Sequence, residues 1–312
     1  MQTFCTIVTS EFIPFAKVLY SSLVKFKPST TLQVLVIGDT NIESENNLII
    51  HPVASLKNYP LVKKLEEKYT TINNDQFRWA LKPVFLSHLL EQFDKVIYLD
   101  ADIYFVNDPS FLFTELDNTS ILLSPHWGET NPTPDEEKFL MNFRIGLYNA
   151  GFIGASKKAL PVLEWWATAC SYEIKQDNEK GLYDDQRYLD LIPIIDPDAK
   201  MLRHKGCNIG SWNINTCKRS IKNENVFINE EFPIIFIHFN YETIRHILNG
   251  NDNLLTPYFN QYEKAFNQID QPLQEFVRKL TEWKKTNFFL SLKRKTKIRS
   301  RIKKWLYKLA TK

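Results

Sequence analysis

The stretch DKVIYLDADIYF, residues 94–105, decides how the rest of the chain is read. Val96, Ile97, Tyr98 and Leu99 have buried-strand character, and two carboxylates, Asp100 and Asp102, follow before the apolar run resumes at Ile103. In an extended chain residues two apart point the same way, so the acids share a face and repel each other unless something cationic lies between them. An unpaired carboxylate directly behind a buried strand is costly. Ligands bind at strand ends in open α/β sheets, and paired carboxylates there suit a hard divalent cation such as Mg²⁺ or Mn²⁺ shared with phosphates. The plain alternative is a loop start with two solvated acids.

Working outward, residues 75–93 read as one helix leading into this strand, with Pro83 in its first turns or at a kink. Upstream, TFCTIVTS (3–10) is a short apolar strand, and FIPFAKVLYSSLVKF (12–26) places Phe15, Val18, Leu19, Leu23 and Phe26 at helical spacing. LQVLVIGD (32–39) is a second buried strand. Strand, helix and strand joined by short connections begin a doubly wound, mostly parallel sheet flanked by helices, so the fold class is α/β and Rossmann-like. Downstream, strands are predicted at 120–125 and 147–156, with a Pro-rich connection over 126–139 between them. A helix follows at 159–174, a short helix within 181–196 and a late strand at 232–240. One domain spans 1–282, with a helical appendage over 283–312.

The 312 residues carry a formal net charge of +3, which conceals an asymmetry. Trp283 to Lys312 holds twelve Lys/Arg and no acid, leaving 27 basic against 36 acidic side chains in residues 1–282, a net of −9. An acidic body argues against a nucleic-acid partner. Cys5, Cys170, Cys207 and Cys217 lack CxxC pairing and fit reduced thiols of a cytosolic protein. The start MQTFCTIVTS lacks the pattern of a signal peptide, and no stretch reaches the roughly 18 to 20 apolar residues of a spanning helix.

His238 ends the apolar run of the late strand. It reads either as a hydrogen-bonded core histidine or, beside an acid pair, as a third ligand, since neutral imidazole suits Mn²⁺. YLDADIYF, preceded by FRWALKPVFLSHLL and followed by YNAGFIGAS, YDDQRYLD and FIHFN, resembles the nucleotide-sugar glycosyltransferases of the GT-A fold, and most closely bacterial family 8-type and related retaining enzymes. The ordered motifs span roughly residues 3 to 245 and are far more specific than Asp-X-Asp alone.

The resemblance implies a metal site of Asp100, Asp102 and His238, with Mn²⁺ or Mg²⁺ bridging the diphosphate of a UDP-sugar. It also implies a donor pocket with Thr9 and Ser10 at the end of the first strand, Arg78 and Lys82 facing the donor, Asp100 and Ala101 beside it, and Asn149 and Gly151 at a sugar-contacting turn. Asp185 and Gln186 take the place of the pair near the anomeric carbon, which favours a retaining reaction. Each residue has a plainer reading: a solvated helix face for Arg78 and Lys82, a simple turn for Asn149, and a helix N-cap for Asp184 or Asp185. The late motif HFNY departs from the family's His-Tyr-X-Gly with a Lys soon after, leaving Arg245 as a substitute phosphate ligand. GCNIGSWNI (206–214) suits a loop closing over donor or acceptor, where Trp212 either stacks on a sugar or caps the core.

In the terminal segment Ile298, Ile302, Trp305 and Leu309 line one helical face among Lys and Arg. This is the pattern of a basic amphipathic helical tail on an anionic membrane, with a solvated or disordered tail as the alternative. Residues 284–312 would hold the enzyme peripherally on the cytoplasmic face of the plasma membrane. That location suits transfer of a hexose to a cell-surface glycan acceptor such as lipopolysaccharide, capsule or a lipid-linked glycan. A sugar-nucleotide nucleotidyltransferase is a second reading, but it calls for an early Gly-rich phosphate loop, and TSEFIPFAK has no glycine. A non-catalytic sugar-nucleotide-binding protein is a third.

Overall fold

In the computed structural model, which describes residues 1–38, 43–70, 74–269 and 273, the stretch 94–105 is two strands joined by a tight turn. β1 (Gln2–Thr9), β2 (Leu32–Ile37) and β3 (Leu48–Pro52) precede β4 (Lys95–Leu99), and β5 (Ile103–Phe105) resumes after the acids. β6 (Ile121–Pro125) and β7 (Tyr148–Ser156) follow. Gln176–Asp177 and Leu182–Tyr183 form a small hairpin, β8 and β9, and β10 is Lys200–Met201. The central sheet runs β10-β6-β7-β4-β1-β2-β3, with only β7 antiparallel to its neighbours. β1 and β2 are buried almost throughout, as strands covered on both faces must be.

α1 (Ile13–Val24) buries Phe15, Val18, Leu19 and Leu23 as their spacing predicts. Ser22 on this helix accepts from the Phe105 backbone N–H at 3.1 Å, tying it to β5. After α2 (Pro60–Tyr69), the predicted helix over 75–93 splits into α3 (Asn74–Ala80) and α4 (Lys82–Leu90), with Leu81 between them. Pro83 lies in the first turn of α4, where its missing N–H costs nothing. The break leaves Lys82 as the first residue of α4, with its side chain only 2 % exposed. α4 and a later helix, α7 (Leu160–Tyr172), cover one face of the sheet with a core that includes Phe85, Leu89, Leu163 and Trp166.

Three other departures have local causes. α5 (Phe111–Thr114) is a single turn, but α6 (Glu136–Ile145) begins inside the predicted Pro-rich connection, capped by the Asp135 carboxylate on the Lys138 N–H at 3.0 Å. Past the 3₁₀ turn Gln186–Leu191 and α8 (Ile192–Ile195), an unforeseen antiparallel sheet forms from β11 (Arg219–Lys222), β12 (Asn225–Ile228) and β13 (Phe232–Pro233). The late strand is therefore short: β14 (Phe236–His238) pairs antiparallel with β5 and is followed by α9 (Tyr241–Leu248) and α10 (Thr256–Asn267).

The chain divides into two units, Met1–Ala265 and Phe266–Lys312. The expected tail helix over 283–312 lies outside the described residues. Among the described residues, no helix is long and apolar enough to cross a membrane.

Candidate active site

The acids converge through a turn and not through strand alternation. The Ile103 N–H donates to the Asp100 carbonyl at 3.1 Å, closing the turn around Ala101 and Asp102. Two further backbone bonds pin it: the Asp100 N–H donates to Gly151 O and the Phe239 N–H to Asp102 O, both at 2.8 Å. β7 and the residue after β14 thus grip the turn from two sides, which carries His238 to the acids. Its Nε2 lies 3.0 Å from Asp102 Oδ1 and 4.0 Å from Asp100 Oδ2. One ligand atom from each of Asp100, Asp102 and His238 falls within 4.8 Å of the others.

Gly151 makes this approach possible by lacking a side chain. A Cβ there would meet His238 Cε1 at 2.6 Å, Asn149 Oδ1 at 2.7 Å and Asp100 Oδ2 at 3.0 Å. The sequence reading gave this glycine to backbone contact with a ligand; in the structure it clears space for the site's own side chains.

Behind the acids lies a buried charge network. The Lys82 ammonium is 3.5 Å from Asp100 Oδ1 and 3.1 Å from Asp185 Oδ2, and donates to Ala150 O at 3.0 Å. The Tyr98 hydroxyl donates to Asp100 Oδ1 at 2.7 Å. Burial alone would raise the Asp100 carboxyl, but Lys82, His238 and Arg78 outweigh it and hold it below its ordinary range. Asp185 is pushed up to about 6 by burial, against the opposing pull of Lys82. Burial also works against the His238 imidazolium, yet Asp102 and Asp100 raise it on balance. Arg78 pairs with Asp75 at 3.3 Å, and its surroundings, Tyr98 with the carboxylates of Asp100, Asp75 and Asp102, overcome its burial to raise its guanidinium.

Asp184 adopts a left-handed backbone, φ 49°, just before Asp185, whose own carbonyl accepts from Trp166 Nε1 at 3.1 Å. Gln186 uses its amide on the main chain at both ends: Oε1 accepts from the Ala150 N–H at 3.1 Å and Nε2 donates to Ile145 O at 2.9 Å. Asn149 Oδ1 accepts from the Gly151 N–H at 2.9 Å, and its Nδ2 faces His126 Nε2 at 3.2 Å. Buried His126 is pulled down to about 4 by burial, and its Nδ1 lies 2.9 Å from Gly146 O. That carbonyl can only accept, so the neutral ring carries its proton on Nδ1 and receives the Asn149 amide on Nε2. Thr9 and Ser10 sit at the C-terminal end of β1, between the ends of β2 and β4, and the Thr9 hydroxyl is buried with no hydrogen-bond partner among the described residues.

A cavity of about 500 Å³ opens beside Asn149 and Gln186, lined also by Tyr183, Trp212, Asn240 and Arg245. The segment 206–210 proves to be buried wall and not a lid, with Ile209 bridged to Ile237. Trp212 stands edge-on to His238 at 5.5 Å and His126 at 6.2 Å, and its indole N–H is buried without a partner among the described residues. Arg245 lines the cavity, paired with Glu242 at 2.7 Å.

Sequence reasoning missed Tyr98, His126 and Asn208. Tyr98 was within reach, because the two-residue period puts it on the face of Asp100. His126 shows only as a polar residue ending a buried strand, and Asn208 gives no sequence signal.

No family profile matches the chain. Two proteins of Bacillus subtilis strain 168, both described as uncharacterized, are similar in sequence. YfnF is 31% identical over 249 residues, covering 76% of this chain and 80% of YfnF. YfnD is 29% identical over 216 residues, and the match spans 67% of this chain and 65% of YfnD. Among solved structures, mouse xyloside xylosyltransferase 1 aligns with a TM-score of 0.47 at 15% identity, covering 78% of this chain and 99% of that one. The galactosyltransferase LgtC, in complex with donor and acceptor sugar analogues, aligns with a TM-score of 0.47 at 14% identity over 77% of this chain and 87% of LgtC.

Proposed function

The chain belongs to the family of Bacillus subtilis YfnF, and for this member we propose a metal-dependent glycosyltransferase of the GT-A type that moves a hexose from a UDP-sugar to a cell-surface glycan, with retention. The observation that carries the reading is the convergence of Asp100, Asp102 and His238 at the C-terminal end of the central strand β4, next to the Lys82–Asp185 pair and the cavity.

The donor set fits a divalent cation. Two carboxylates and an imidazole suit Mn²⁺, or Mg²⁺ where oxygen ligands dominate, and a Cβ on residue 151 would press on two of them, His238 and Asp100. Bound there, the cation supplies charge neutralisation for a diphosphate. Lys82 compensates the buried acids: its three short contacts match the three donors of an ammonium group. Arg78 adds positive potential on the same side, favouring the UDP leaving group as its charge develops. Asp185 offers a carboxylate to the positive charge that grows on the sugar. Gln186 and Asn149 brace the main chain at Ala150 and Gly151, beside the cation site.

The cavity beside Trp212 is the acceptor side of this reading. Its aromatic and amide lining is suited to sugar rings and hydroxyls. The basic segment 284–312 brings the enzyme to anionic lipid on the cytoplasmic face, at about 1 kcal/mol per near-surface Lys or Arg.

The test is release of UDP from a panel of UDP-hexoses by the full-length protein. Release is expected with Mn²⁺ and should stop with chelator; absence of both UDP binding and hydrolysis in Mn²⁺ sinks the enzymatic reading. Removal of residues 284–312 should abolish sedimentation with anionic liposomes and leave hydrolysis in place, and equal sedimentation of the truncated protein would remove the membrane role.

A further inference from the structure

One buried side chain bears on the cation site from behind. Asn208 has no solvent exposure and a left-handed backbone, φ 58°, a conformation Asn tolerates better than most residues. Its Oδ1 lies 3.2 Å from His238 Nδ1. Its Nδ2 donates to the Ser124 hydroxyl on β6 at 3.1 Å, and its carbonyl accepts from Asn213 Nδ2 at 3.0 Å. The neighbouring residue holds the same histidine by its main chain, with the His238 N–H donating to Ile209 O at 2.9 Å. The segment itself is packed hard: a Cβ on Gly206 would fall 1.8 Å from Pro233 O. Residues 208 and 209 therefore hold both the backbone and the ring of His238.

We propose that Asn208 is a positioning residue for the cation, holding the His238 proton on Nδ1 so that Nε2 presents its lone pair toward Asp100 and Asp102. The inference rests on reading those three residues as a cation site. An imidazole ligates through one nitrogen, and the hydrogen bond made by the other sets the tautomer and the ring plane. In the structure the Asn208 amide turns Oδ1 toward the ring and Nδ2 toward the Ser124 hydroxyl, an orientation that matches a ligating Nε2. The flipped amide would demand the opposite tautomer, with a proton on the nitrogen that faces the carboxylates.

The experiment titrates Mn²⁺ calorimetrically into the full-length wild type, Asn208→Gly and Asn208→Asp. Glycine accepts the left-handed backbone and removes the amide, whereas Asp tolerates that backbone and keeps an acceptor. Asn208→Gly is expected to weaken Mn²⁺ binding by about 10- to 100-fold, the usual cost of losing such a partner, and Asn208→Asp to stay close to wild type. Long-range ¹H–¹⁵N spectra with saturating Mg²⁺ should show His238 protonated on Nδ1 in the wild type and a fraction of rings protonated on Nε2, facing Asp102, in Asn208→Gly. A merely structural residue would lower the melting temperature in both variants and leave the Mn²⁺ affinity and the ring signature unchanged, which overturns the proposal. Should the glycine variant not fold, the wild-type spectrum decides, and a dominant Nε2–H tautomer refutes it. Wild-type protein that takes up no Mn²⁺ overturns the cation reading and this inference with it, an outcome distinct from wild-type binding that Asn208→Gly leaves intact.

Discussion

Two buried ion-pair systems lie in the first unit, and their contrast separates structure from function. Arg219 and Asp252 meet at 3.1 Å with side chains 3 % and 5 % exposed. The remaining guanidinium donors go to Gly210 O at 2.8 Å, Cys217 O at 2.5 Å and the Asn213 side-chain oxygen at 3.4 Å. One acid faces one base, and every further contact stitches a loop together. At the C-terminal end of the central strand β4, Asp100, Asp102 and Asp185 crowd against Lys82 and His238. Burial of a charge pair is thus a poor sign of a site. Carboxylates crowded around a shared set of cations are a better one, because strong mutual perturbation of this kind clusters at functional sites.

The largest effect that would break this contrast belongs to the crowded cluster. Asp102→Ala should reduce Mn²⁺-dependent donor hydrolysis by about two to three orders of magnitude with an unchanged far-UV spectrum, the scale on which loss of preorganised charge is felt. Unchanged turnover at limiting Mn²⁺ would mean the acids are not a cation site. The paired system should respond in stability instead. Arg219→Met leaves Asp252 buried without its partner and should cost about 3–5 kcal/mol in denaturant unfolding, whereas Arg219→Met with Asp252→Leu should recover most of that loss. A double variant no more stable than the single would show that the backbone bonds of Arg219, and not its ion pair, hold the loop.

A smaller effect tests the neutral ring between the two regions. His126 titrates near 4 in the folded protein and near 6.5 when unfolded, so between those values the unfolded state binds more protons. Its contribution is complete above about pH 6.5 and is lost as pH falls toward 4, amounting to about 3 kcal/mol. His126→Gln should flatten that acid limb in melts run from pH 7 to 4.5. An unchanged slope would assign the acid loss to the carboxylates.

The legibility of these parts followed their range. α1 was readable because its apolar spacing reports its own buried face, and β1, β2 and β4 because continuous apolar runs mark strands covered on both sides. The fold class could be read the same way, whereas Asn149 and Asp185 were picked out only by the resemblance of the ordered motifs. The split at Leu81 was half legible, since Pro83 announces an interruption without saying whether the helix kinks or restarts. The small sheet of β11 to β13 was missed because its strands are short and half exposed, where pattern carries little signal.

By itself the sequence determined an α/β chain with acids at a strand end, a late histidine and a basic terminal segment, because these follow from local periodicity and residue type. Tertiary structure alone decided that the acids meet through a turn gripped by Gly151 and Phe239, that Lys82 reaches both Asp100 and Asp185, and that Asn208 faces His238 from behind. Those contacts join residues 18 to 137 positions apart or depend on a missing Cβ, and neither proximity through space nor the absence of an atom leaves a trace in local pattern.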